Sequence, residues 1–241
     1  MVGKSLSDNE VYEIKKTVLK SPIIFAGFVG AGLVGPLSVG YMIEKLKMEE
    51  IGYLRSKHLP PSTVFMQGRL RHPFRLYANK EGTVCAVICE ITLPFGLHDI
   101  VNTILDWAEK NGSHEIVILD GVASKTHDGK AFCAAEEDLC RVMESNDINM
   151  IPQGFITGVA GGLLNECLMR PIQGITLLAK ANDKGADPLA AATLLDAVNR
   201  AYGLNINTSD LRKKKKRIGE DFRELSDKYT EHRKIDSNMY M

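Results

Sequence analysis

Short runs of apolar residues alternate with amphipathic stretches along most of this chain, the pattern of buried strands separated by helices. The runs at 23–28, 51–54, 83–91, 115–119 and 175–179 predict strands, and the long β-rich run at 83–91 predicts a central one. Amphipathic spacing predicts helices over 8–19, with Val11, Ile14 and Val18 in register behind a Ser7 or Asp8 cap, and from the glycines after Phe28 through about Lys47. Further helices are predicted over 99–111, capped by Asp99 and stopped by Gly112, over 134–146 and over 188–202. Alternation at 64–70 and 74–78 predicts a hairpin, and Gln153 to Gly158 a second strand-to-helix turn running through Gly161-Gly162. Together these elements predict an α/β fold: a single domain with a mostly parallel sheet and helices on both faces.

The last stretch differs in kind. Asp210 to Lys234 is highly charged and predicts a helix, on which Leu211, Ile218, Phe222, Leu225 and Tyr229 form a short heptad-like stripe. Such a stripe needs an apolar partner, either the body of its own subunit or the same helix of a neighbouring copy. The six basic residues Arg212 to Arg217 are followed at helical distances by Glu220, Asp221, Glu224 and Asp227, so they read as a solvated, self-paired face and not as a nucleic-acid patch. The predicted organisation is an α/β domain over 1–207, a charged amphipathic helix over 208–231 and a flexible tail over 232–241.

Composition narrows the class. The 241 residues are 44% hydrophobic and 25% charged with a net charge of zero, so no overall field draws the chain to nucleic acid or anionic lipid. Ser21 to Ile43 carries no charge and is long enough for a membrane span. Gly27, Gly30, Gly32, Gly35, Pro36 and Gly40 and the strand-like opening fit a buried strand turning into a packed helix instead. The five cysteines, an odd number without a C-x-x-C pair, read as reduced buried thiols of a cytoplasmic protein, and the polar start at Met1 to Lys20 does not read as a signal peptide.

Candidate chemistry is sparse. Gly30, Gly32 and Gly35 follow a strand and open a helix, matching the G-x-G-x-x-G loop that presents backbone N–H groups to a pyrophosphate. This is the candidate anion or nucleotide loop. At the end of the second strand, where that motif wants an acidic residue for the ribose, stands Leu54-Arg55-Ser56, which suits NADP alone. The competing reading, favoured here, is that the glycines allow strand, turn and helix to pack closely. His98-Asp99 and His127-Asp128 are adjacent pairs, a spacing at which a carboxylate does not orient an imidazole for catalysis, and they read as a helix cap and a turn. Cys85 and Cys89 lack further ligands for a metal. No catalytic residue, metal or cofactor is expected.

The chain ends in Met239, Tyr240 and Met241: a hydrophobic residue, a penultimate tyrosine and the carboxylate. On a polar tail such a ring is suited to plug a pocket on another protein, with the carboxylate meeting a lysine there. Glu231 to Asn238 would reach roughly 26–29 Å if extended.

Four motifs in order, Phe25-Ala26-Gly27-Phe28-Val29-Gly30, Glu50-Ile51-Gly52-Tyr53-Leu54, Gly154-Phe155-Ile156-Thr157-Gly158 with Gly161-Gly162-Leu163-Leu164, and Asp187-Pro188-Leu189-Ala190-Ala191-Ala192, resemble the proteasome assembly chaperone family, in particular its archaeal homo-oligomeric members. The resemblance spans roughly residues 20–230. It implies an α/β sheet similar to that of purine nucleoside phosphorylases, no enzymatic activity, and self-association. It further implies that Tyr240 and the Met241 carboxylate enter pockets between neighbouring α subunits of the proteasome core ring. The alternative is a nucleotide- or NADP-binding enzyme using the Gly30–Gly35 loop.

Overall fold

A computed structural model describes residues 9–66, 68–183 and 185–213. A nine-stranded sheet, in the order β1-β3-β6-β7-β2-β8-β11-β9-β10, divides two helical layers. The strands are β1 (Asn9–Glu13), β2 (Ile23–Gly27), β3 (Glu49–Ser56), β6 (Phe74–Ala78), β7 (Val84–Cys89), β8 (Glu115–Ala123), β9 (Ala131–Ala135), β10 (Asn149–Met150) and β11 (Gln173–Ala181). β4 (Val64–Met66) and β5 (Arg69–Arg71) form a separate hairpin. The four central strands β7, β2, β8 and β11 run parallel, and β3 and β6 flank them in antiparallel pairing. The expected α/β fold, parallel at its heart with helices on both faces, is what the structure has.

Alternation along each central strand splits the core in two. Phe25, Val117, Leu119 and Leu177 face one way, toward α1 (Val34–Lys45) and α5 (Pro188–Tyr202). Ile24, Ala26, Ile116 and Ile118 face the other, toward α2 (Leu97–Lys110) and α4 (Gly158–Cys167). These central side chains are fully buried, each worth roughly 1.5–3 kcal/mol of transfer free energy. The uncharged stretch 21–43 resolves into β2 and α1, and among the described residues no helix is long and apolar enough to cross a membrane. All five cysteines are free and buried.

Several predicted elements are corrected. The helix expected over 8–19 is β1, paired antiparallel with β3, followed by a bend at 14–15 and a segment without regular structure. The helix expected over 134–146 is the end of β9 plus α3 (Glu137–Glu144). The hairpin closes within 64–71, while β6 joins the main sheet between β3 and β7. Residues 151–157 carry no strand before α4. Gly96 occupies the N-cap of α2, and Asp99 lies in its first turn, with an oxygen 2.9 Å from His58 Nε2. The short helix α6 (Ser209–Lys213) lies at the start of the stretch predicted as a charged helix; the rest of that stretch, with Ile218 to Tyr229 of the stripe, and the ending Met239-Tyr240-Met241 lie outside the described residues.

One polar pair sits inside the β3-β6-β7 part of the sheet. Arg75 and Glu90 stand 2.7 Å apart with side chains only 3% and 4% exposed. Arg75 also donates to the Tyr77 hydroxyl (2.9 Å) and the His72 carbonyl (2.7 Å), and Tyr77 donates to Glu50 (2.8 Å). Burial pushes the Tyr77 hydroxyl up to about 12, so it remains a donor at neutral pH.

Candidate functional site

Chain direction changes sides at β2: β7 lies on one flank and β8 on the other, with α1 covering one face of the sheet and α2 the opposite one. In open α/β sheets, ligands gather beyond the carboxyl ends of strands at such a point. Here that place is filled by the Gly30–Gly35 loop itself. Residues Ala31–Leu33 make one tight 3-10 turn, with Gly32 at φ 62° and Leu33 at φ 50°. A Cβ on Gly30 would stand 2.3 Å from an Asp120 carboxylate oxygen, and one on Gly32 2.8 Å from the Ala181 Cβ. On Gly35 it would lie 2.7 Å from the carbonyls of Phe28 and Leu119. Close packing accounts for all three glycines.

The electrostatics around the loop also differ from those of a phosphate cradle. Asp120 ends the buried run of β8, its Oδ1 accepting from the Gly121 N–H at 2.7 Å. Burial pushes its carboxyl up from 3.8 to about 6. Asp187 accepts from the N–H groups of Asn182 (2.8 Å) and Ala190 (3.1 Å), capping α5, while its own N–H donates to Gly32 C=O at 2.8 Å. His127 Nε2 lies 3.0 Å from the same Asp187 oxygen, Oδ2, that accepts from Asn182. Two carboxylates therefore border a loop that an anion would have to approach. Arg55, the candidate for a 2′-phosphate, pairs with Glu10 at 2.9 Å on β3, which β6 and β7 separate from β2. The strand–helix–strand unit of a dinucleotide fold is not assembled.

Among the described residues neither histidine of the two dipeptides pairs with the aspartate beside it. Asp128 pairs with Lys180 at 2.8 Å, which holds its carboxyl below the usual range, and His98 faces Glu166 at 3.7 Å. The sequence offers only one local signal for Asp187, the Asp-Pro step at a helix start. Among the described residues no group of acidic, histidine and cysteine side chains could hold a metal ion.

The root of the C-terminal segment is clamped firmly. After α5 ends at Gly203 (φ 65°), Ile206 exchanges two hydrogen bonds with the Asn199 side chain, at 2.7 and 2.8 Å. Tyr41 of α1 donates to the Asn207 carbonyl at 2.7 Å, and Lys45 reaches Asp210 at 3.0 Å. Asp196 of α5 accepts from Thr208 (2.7 Å) and pairs with Arg212, while Leu211 is 1% exposed. The first residue of the stripe is thus packed against its own subunit, on the α1–α5 layer.

Close glycine packing at the β2–α1 turn and an anchored C-terminal root are the two features that stand out on this α/β scaffold. The chain belongs to the PAC2 family, whose model matches residues 24–226. A protein of unknown function from Thermoplasma acidophilum shares 32% identity, with 91% of each chain covered and a TM-score of 0.85. Pyrococcus furiosus PbaA, an archaeal homolog of proteasome-assembly chaperone, shares 27% over 92% of this chain and 99% of its own, with a TM-score of 0.80. An uncharacterized protein of Methanocaldococcus jannaschii is 27% identical over 218 residues, 90% of each chain. The family read from the sequence motifs is the one found.

Proposed function

We propose that this protein is a non-enzymatic partner of the proteasome, an assembly chaperone or activator, that docks its C-terminal tails onto the α ring of the core particle. The reading rests chiefly on the likeness to PbaA across nearly the whole chain. The anchored root supports it, because a tail is useful as a tether only when its origin is fixed. Met239 and Tyr240 bury apolar area in a pocket between α subunits, and the Met241 carboxylate pairs with a lysine there. A few residues supply too little free energy alone, so several copies act together, raising avidity by about 10²–10⁴ where the linkers span the pockets. The protein works in the cytoplasm as a homo-oligomer.

The test is capture of the archaeal core particle by full-length protein and by a chain lacking residues 239–241. Capture by the full chain and its loss on deletion is the expected result. Equal capture by both would eliminate tail docking, whereas sedimentation as a monomer would eliminate the avidity on which it relies.

A further inference from the structure

After β1 the chain bends at Ile14 and Lys15, runs on to Lys20 without regular structure, and is held at its two ends. The N–H groups of Ile14 and Lys15 reach the Ile51 carbonyl at 2.9 and 3.4 Å, and Lys20 N–H reaches Gly82 C=O at 2.8 Å. Gly82, at φ 73°, passes so close beneath that a Cβ there would stand 2.3 Å from the Val18 carbonyl oxygen. Between these anchors, residues 16–19 make no backbone-to-backbone hydrogen bond among the described residues. Beside this strap opens a cleft of about 390 Å³, with Lys15, Lys16, Lys20 and Lys80 set against Glu49 and Glu81. The lining thus holds four lysines and two glutamates, an excess of two formal positive charges.

Only Lys15 is neutralised, by Glu49; Lys16, Lys20 and Lys80 have no ion-pair partner among the described residues. Lys15, and Lys80 at longer range, hold the Glu49 carboxyl below its usual range, so the positive field converges on the cleft. Along the strap, Val18 is 76% exposed and Ile14 44%.

We propose that this cleft receives an extended, acidic peptide segment of a partner protein. The assignment goes beyond tail docking and does not rest on it. Charge complementarity fixes the sign of the occupant. A phosphorylated small molecule is the poorer fit, because the lining offers no arginine fork and spaces its lysines as separate point charges. An extended peptide also uses what a phosphate ignores: the exposed Val18 of the lining for apolar contact, and the backbone of Lys16 and Thr17, which makes no backbone-to-backbone hydrogen bond among the described residues. The cleft lies where the parallel strands begin. α1 returns to that end at Lys45, which grips Asp210 at the root of the C-terminal segment, and β3 starts there at Glu49. Cleft and root therefore address the same end of the molecule, and a partner held at one is concentrated at the other.

The test is fluorescence anisotropy of a fluorescein-labelled octaglutamate peptide against the full chain, a Lys16→Gln/Lys20→Gln/Lys80→Gln variant, a Lys110→Gln/Lys125→Gln/Lys130→Gln variant of equal charge change, and the chain lacking 239–241. Binding is expected to be saturable, to weaken with added salt, and to fall about tenfold or more in the first variant alone. Deleting 239–241 is expected to leave peptide binding unchanged even though it abolishes core-particle capture, so each idea fails separately. Absence of saturable binding, equal weakening by both lysine variants, or tighter binding of ATP than of peptide at the same lysines would overturn the assignment. All six lysines are exposed, and matching thermal melts confirm that the variants remain folded.

Discussion

Asp120→Asn is expected to stabilise this protein at neutral pH. Holding the carboxyl at about 6 instead of its ordinary 3.8 makes the ionised form cost about 3 kcal/mol relative to the unfolded chain. The cause is burial beside Gly30, eased only by the Gly121 N–H, and an asparagine oxygen keeps that hydrogen bond. Partial contact with water reduces the recoverable part, so the gain is about 1–3 kcal/mol at pH 7.5, or roughly 3–10 °C in melting temperature. The sign with pH follows from proton counting. Between pH 4 and 6 the native state binds the Asp120 proton and the unfolded state releases it. This group therefore makes the wild type lose stability as pH rises through that window. The asparagine variant lacks this loss, and its advantage is expected to appear above pH 4, grow to pH 6 and level off beyond. Denaturant titrations of both proteins from pH 4 to 8 measure the difference directly. An advantage that is flat across this range, or a variant less stable than wild type at pH 7.5, would refute the account of a carboxylate held against its preference.

Two further substitutions probe the packed core. Gly32→Val forces a branched side chain into positive φ with its Cβ 2.8 Å from that of Ala181, and a loss of about 2–4 kcal/mol is expected by chemical denaturation; saturable NADP binding by wild type, lost in the variant, would instead speak for a nucleotide loop. Glu90→Ala strands the Arg75 guanidinium in the core and is expected to cost about 3–5 kcal/mol, while Arg75→Met/Glu90→Leu returns stability to near that of wild type; a loss below about 1 kcal/mol in the single variant would show that the pair is solvated.

The parts legible in the sequence were those specified locally. α5 was bounded correctly because Asp187-Pro188 caps it and Gly203 ends it, each acting within a turn of the helix. The fully apolar runs of β2, β7 and β8 announced strands buried on both faces. β1 was hidden because Val11, Ile14 and Val18 imitate a helical stripe, while what makes it a strand is β3, some forty residues away. In the same way, Phe132 and Cys133 extend into β9 only because β11 offers an antiparallel edge. Nor could a local reading pair His127 with Asp187 or gather lysines 15, 16, 20 and 80, since tertiary folding alone brings those positions together. The glycines of the candidate loop were visible, but the carboxylates beside them came from β8 and from the turn before α5.

The contact between β2 and α1 has a mechanical meaning. A Cβ on Gly27 would stand 2.3 Å from the Gly35 carbonyl oxygen, so helix and strand touch backbone to backbone, with no side chain between them to act as a cushion. The same helix grips the chain at Asn207 and Asp210. Tension applied at Asn207 or Asp210 is therefore handed through a stiff helix to the middle of the sheet. A load at that root is shared by the sheet and not borne by an outer layer alone.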